Sequence, residues 1–109
     1  MSNEQIIADL QATRDRMTPE NWSCHGWVDG ESLCVQGHLI EVITGRPFYQ
    51  GRFKMRQEWS LDSRYNDARG ALREHLPHPG SVGLYNDSGA SFADIQNLID
   101  KTLADLGGL

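Results

Sequence analysis

The residues of this chain that could do chemistry crowd into its first third. Cys34 and His38 stand four positions apart. On a helix that spacing projects both from one face, where a thiolate and an imidazole can clasp one metal ion. Cys24 and His25 lie shortly upstream, and with Cys34 and His38 they would complete a four-ligand set for zinc. The spacing departs from the usual zinc modules, since it contains no Cys-x-x-Cys knuckle. A cysteine without a metal is also among the most buried residue types and packs as a small hydrophobe. The same side chains could pair as nucleophile and base, Cys34 or Cys24 with His38 or His25, oriented by Asp87 or Glu41. That reading requires the thiol within hydrogen-bond reach of the imidazole, and a helical i, i+4 pair leaves little room between them for substrate. His75 and His78 flank Pro77 and are expected in a solvent-exposed loop.

Two further groups of residues invite a functional reading. Asn86-Asp87, just ahead of Ser91, is polar and close to a helix start. Asn and Asp also tolerate turn geometry and bond nearby backbone N–H groups, so the expected role is to anchor entry into the last helix. Trp22 and Trp27 are expected as core or pocket walls, each indole N–H needing a partner where buried. The more distinctive stretch is residues 48–59, where Phe53, Met55 and Trp59 alternate with Arg52, Lys54, Arg56 and Glu58. Arginine and aromatic side chains dominate the anchors of protein interfaces and can also hold nucleic-acid backbone and bases. The competing account is a surface ribbon whose aromatics face the core while Arg and Lys stay in water. Neither a GxGxxG nor a GxxxxGK[ST] phosphate loop occurs.

Charge narrows the classes. The 109 residues carry a net charge of −5 at pH 7, which argues against wholesale nucleic-acid binding. The charge is unevenly spread. Residues 46–73 carry Arg46, Arg52, Lys54, Arg56, Arg64, Arg69 and Arg73 against Glu58, Asp62 and Asp67, a net +4, between ends of −5 and −4. A basic middle between acidic ends either presents a binding face or pairs with those ends inside one fold. With 39% apolar and 23% charged residues the balance is globular. The length suits a single domain over residues 1–109. No apolar run approaches the roughly 18 residues of a membrane span. The polar, charged opening is not that of a secretory signal, and two cysteines are too few for a disulfide framework. A cytoplasmic protein is the expectation.

Periodicity supplies the elements that must position these groups. Ser2 with Gln5 makes a capping-box signature ahead of Ile6, Ile7, Leu10, Thr13 and Met17, a stripe that predicts a first helix. Thr18-Pro19-Glu20 predicts a short second helical turn, and Asp29-Gly30 a reversal. A helix is expected from Glu31 or Ser32, burying Leu33, Val35, Leu39, Val42 and Ile43 and closed by Gly45 and Pro47. Residues 48–59 read as a strand-like or irregular insertion. From Ser60 a stripe of Leu61, Tyr65, Ala68, Leu72 and Leu76 predicts another helix, weakened by Gly70 and stopped at Pro77. Val82, Leu84 and Tyr85 suggest a brief extended piece. Ser91 with Asp94 then opens a helix through Ile95, Leu98, Ile99, Thr102 and Leu103 to Gly107. The fold class is therefore mainly α: a small four-helix, bundle-like domain with a short insertion.

Several of these motifs, taken in order, resemble one family. Trp22-x-Cys24-x-Gly26, Cys34-x-x-Gly37-x-Leu39, and Leu84-Tyr85-Asn86-Asp87 running into Ser91-Phe92 are similar to the pattern of small uncharacterised proteins of actinobacteria and their phages. The resemblance implies a mostly helical domain in a phage or actinobacterial setting and no chemistry. Residues 46–59 look like an addition to that pattern, and additions on a scaffold are natural sites for private functions. The functional expectation is a non-enzymatic protein-interaction module, plausibly phage-encoded, contacting a host or phage protein through Arg52, Phe53, Lys54, Arg56 and Trp59. The alternatives are a zinc-stabilised or cysteine-dependent enzyme built on Cys24, Cys34 and His38, and a nucleic-acid binder using the basic middle.

Overall fold

The computed structural model describes residues 3–24, 28–29, 32–45 and 63–108. The chain is mainly helical. In order it forms α1 (Asn3–Arg16), β1 (Val28–Asp29), β2 (Ser32–Leu33), α2 (Val35–Thr44), α3 (Ser63–Glu74), α4 (Val82–Asp87) and α5 (Phe92–Leu106). The expected insertion at 48–59, the capping residue Ser2, and the positions His25, Trp27 and Leu61 lie outside the described residues.

The long helices arise where the apolar stripes predict them. In α1, Leu10 and Thr13 are buried, Met17 follows just beyond the end, and Ile6 and Ile7 are half-buried. In α3 the stripe of Tyr65, Ala68 and Leu72 is buried, and in α5 that of Ile95, Leu98, Ile99, Thr102 and Leu103. The start of α5 is a complete capping box, with Ser91 Oγ accepting from Asp94 N and Asp94 accepting from Ser91 N. At its end Gly107 takes a left-handed conformation (φ 87°), as Gly45 does after α2 (φ 68°), a backbone state costly for residues with a Cβ. Gly70 sits in mid-α3, where glycine is about 1 kcal/mol less favourable than alanine. Helix α1 packs on α2, α3 and α5, α3 closes against α2 and α5, and the buried apolar side chains form one continuous cluster.

Two local expectations are corrected and a third is met. The helix expected from Glu31 or Ser32 starts at Val35, because Leu33 is held as strand on both sides. It pairs antiparallel with Val28, its N–H donates to Asn21 O (2.9 Å), and its carbonyl accepts from Ser23 N (2.9 Å). The short helical turn expected at Thr18-Pro19-Glu20 is present as a single turn: Thr18 O accepts from Asn21 N and Trp22 N (both 3.1 Å), and the Thr18 and Asn21 side chains accept from each other's backbone N–H groups. The extended piece expected at 82–85 is helix α4, a fifth helix, started by Ser81 Oγ accepting from Leu84 N (3.0 Å). Val82 and Asn86, four apart, are buried while Leu84 is 66% exposed. That is helical spacing, which the Val82/Leu84 alternation disguised. Gly83 faces α2 so closely that a Cβ would fall 2.5 Å from Gln36 Oε1. No helix of the described residues is long and apolar enough to cross a membrane.

Replacing Ser91 by alanine removes one half of the capping box. The expected loss is about 1 kcal/mol of unfolding free energy, measured by urea denaturation followed by circular dichroism, with Asp94→Ala causing a loss in the same range.

Candidate functional site

The polar groups that the sequence marks out meet at one end of α2. Asn86, in the last turn of α4, is completely buried. Its Oδ1 accepts from Trp22 Nε1 (2.7 Å) and from Val35 N (3.1 Å), and its Nδ2 donates to Ser23 O (2.8 Å) and Asp87 Oδ1 (2.9 Å). A carboxamide has two donors and two acceptor lone pairs, and all four are used. Asn86 thus joins α4, the 22–24 segment and the first turn of α2, in place of the local turn contact expected for it. The Trp22 indole finds its buried partner here and packs its ring near Phe92, with centroids 5.9 Å apart.

Cys34 is the N-cap of α2. Its backbone is extended and its Sγ accepts from Gly37 N at 3.4 Å. With Asn86 it satisfies two of the amide groups that the start of a helix leaves without intrahelical partners. The thiol is 2% exposed, and burial pushes it up to about 11, so it stays protonated at neutral pH. That is the opposite of the lowered value that marks a reactive cysteine. His38, one turn on, is also 2% exposed. Its Nε2 lies 2.8 Å from Asn21 O, which can only accept, so Nε2 carries the proton. Nδ1 is then a bare lone pair, and it has no hydrogen-bond partner. Burial, chiefly, lowers the basicity of the ring; the Asn21 contact and Glu41 act the other way and Arg16 with it.

These facts bear on the expected clusters. Cys34 and His38 share a helix, but the thiol is engaged by Gly37 N and the imidazole by Asn21 O, and no hydrogen bond joins them. Charges act on them from different sides, Asp87 on Cys34 and the Arg16–Glu41 pair on His38. Asp87 bonds Asn86 rather than either histidine nitrogen. Among the described residues no three His, Cys, Asp or Glu side chains converge to hold a metal, and His25 lies outside them. Cys24 is half-buried. His75, expected in solvent, is instead half-buried, with Nδ1 2.9 Å from Ala71 O and Nε2 3.4 Å from Asp105. His78 is exposed and meets the Tyr85 ring edge-on at 6.2 Å. The residues Arg52, Phe53, Lys54, Arg56 and Trp59 lie outside the described residues.

One buried charge escaped the sequence reading. Asp9 is 3% exposed on the inner side of α1 and takes two bonds from Arg64 (2.8 and 3.3 Å) and one from Gln5 (3.0 Å). The only sequence signal is its position, four before Thr13 on the buried stripe. Elsewhere a cleft of about 260 Å3 opens between His75, Tyr85, Asn97 and Lys101. Two carboxylates on its wall already have partners, Asp94 in the capping box and Asp100 with Arg14.

A family model, described as a family of unknown function (DUF6197), matches residues 1–105. The chain belongs to that family. No curated protein and no solved structure matches it. The DUF6197 match spans nearly the whole chain, so it takes in the Trp22–Cys34–Asn86 clasp and the described helices up to residue 105.

Two measurements test this geometry. Asn86→Ala would leave the Trp22 and Val35 N–H groups without their partner in the interior and take one donor from the Ser23 carbonyl. Unsatisfied buried groups cost about 1–3 kcal/mol each, so a loss of about 3 kcal/mol or more is expected in urea denaturation, against well under 1 kcal/mol for Ser88→Ala on the surface. For His38 the folded-state value lies below the ordinary 6.5, so below that pH the unfolded chain binds the extra proton. His38 therefore costs nothing above about pH 7.5 and lowers stability as the pH falls through about 6.5. A His38→Gln variant, which keeps a donor for Asn21 O, is expected to lose less stability than the parent between about pH 7.5 and 5.5.

Proposed function

We propose that this DUF6197 protein is a non-enzymatic protein-interaction module. One observation carries the reading: the side chains best suited to chemistry are engaged in holding the fold. Cys34 caps a helix with a buried, protonated thiol. His38 is bound to a backbone carbonyl through one nitrogen and buried at the other. Asn86 has no hydrogen-bonding capacity left for a ligand. Groups engaged in this way stabilise a scaffold and leave recognition to its surface.

The proposed contact residues are Arg52, Phe53, Lys54, Arg56 and Trp59. Their support is the mixture of arginine and aromatic side chains typical of interface anchors, within a segment that looks like an addition to the family pattern. The likeness of the motifs to small proteins of actinobacteria and their phages supports a phage-encoded protein acting on a host or phage protein in the host cytoplasm. A protein partner is favoured over nucleic acid because four of the five described arginines are occupied at home, Arg73 being the exception. Arg14 pairs with Asp100, Arg16 with Glu41 and Arg64 with Asp9, while Arg69 lies over the Tyr65 ring, 5.5 Å from its centroid.

A photo-crosslinking residue in place of Phe53, introduced in cells of the native host, tests the reading. The expected result is one discrete protein adduct, abolished when Arg52, Lys54 and Arg56 are all changed to Glu. An adduct that survives the charge reversal, or a nucleic-acid adduct in its place, would show that the segment is not a protein-contact face.

A further inference from the structure

Away from the Asn86 clasp, α1, α3 and α5 enclose a groove of about 380 Å3. Its apolar surface is made by Ile6, Gly70, Ala71 and Leu106, and Asp67 and Glu74 stand at its ends. Among the described residues no Lys or Arg lines it, and neither Asp67 nor Glu74 takes a hydrogen bond or an ion pair. Asp9, Glu41, Asp94 and Asp100, by contrast, are each engaged by a partner.

The centre of the groove carries the second observation. Gly70 occupies mid-helix, where alanine is favoured. Among the described residues nothing requires the glycine, because a Cβ built on it meets no atom within 4 Å. Gly83, by contrast, is hemmed in by Gln36. A helix glycine that faces open space leaves a bay into which another backbone can come close. The two carboxylates flank that bay on one stripe of α3, seven residues and so about 10 Å apart along the axis.

We propose that this groove docks an amphipathic helix of a partner protein, crossing α3 at Gly70. The matching helix carries an apolar side chain seated between Ile6 and Leu106, with Lys or Arg seven residues apart to meet Asp67 and Glu74. Charge complementarity selects this occupant, since among the described residues the groove presents two unpaired anions and no cation to the visitor. The residues used here, Ile6, Asp67, Gly70, Glu74 and Leu106, are distinct in sequence from 52–59, so this docking and the function assigned to that segment are tested separately.

The probe is a synthetic, capped helical peptide of about 15 residues, with leucines along one face and lysines seven apart beside it. Binding to the full chain is read by fluorescence polarisation. Gly70→Leu fills the bay without changing the charge, so it separates docking from attraction between a basic peptide and an acidic protein. The expected result is a loss of affinity of about tenfold or more for Gly70→Leu and for Asp67→Lys with Glu74→Lys. A peptide with glutamates in place of lysines is expected to bind at least as poorly. Gly70→Ala, expected to raise the melting temperature while weakening the peptide, covers the case in which Gly70→Leu fails to fold. Unchanged affinity in Gly70→Leu or Gly70→Ala would overturn the proposal. So would concentration-dependent self-association that these substitutions abolish, because the occupant would then be a second copy of the chain.

Discussion

A single carboxamide constrains how the rest of this fold closes. The side chain of Asn86 reaches a tryptophan indole, a helix-initiating amide and the Ser23 carbonyl, all more than fifty positions away in the chain. In a dry interior each of those groups would be costly to leave alone. Because one residue satisfies all of them, the register of the 22–24 segment, the start of α2 and the placement of α4 are mutually dependent. A fully satisfied buried network of this kind favours one arrangement over near neighbours, since any slip breaks several bonds together. Aspartate would have almost the same shape yet lack the donor that Ser23 O requires.

The same region shows how local chemistry is redirected by packing. A cysteine four residues ahead of a histidine has the spacing of a metal or catalytic pair. Here the cysteine is drawn into the N-cap of α2 and the histidine toward Asn21, so each is engaged before it can meet the other. Burial then sets their protonation, holding the thiol protonated and disfavouring the imidazolium. Removal from water is the common cause in this pair, favouring the neutral form of both groups.

Charge organises the periphery. Helix α1 is tied to each of its neighbours by one ion pair, Arg16 to Glu41 on α2, Asp9 to Arg64 on α3 and Arg14 to Asp100 on α5. The first and last involve half-exposed groups and contribute little individually. The pair to Asp9 differs because that carboxylate is 3% exposed, and an unpaired charge there would be strongly destabilising. The Asp9–Arg64 pair joins a basic-middle residue to the acidic first part of the chain, one instance of the internal pairing that the charge distribution allows.

The long helices were legible from the sequence because their apolar positions repeat at helical spacing and their caps are local: Ser91 with Asp94, Gly45 and Gly107 act within a few residues of themselves. The mainly helical class follows from that periodicity. The start of α2, the helical state of residues 82–87 and the burial of Asp9 were not legible. Each is decided by a partner far away in the chain: Leu33 is held as strand by Asn21, Ser23 and Val28, Asn86 is drawn inward by Trp22 and Val35, and Asp9 is neutralised by Arg64. The sequence by itself determined the four long helices, because backbone periodicity and caps are short-range. Only the tertiary structure decided what Cys34, His38 and Asn86 do, because desolvation and long-range hydrogen bonding exist only after those segments have packed.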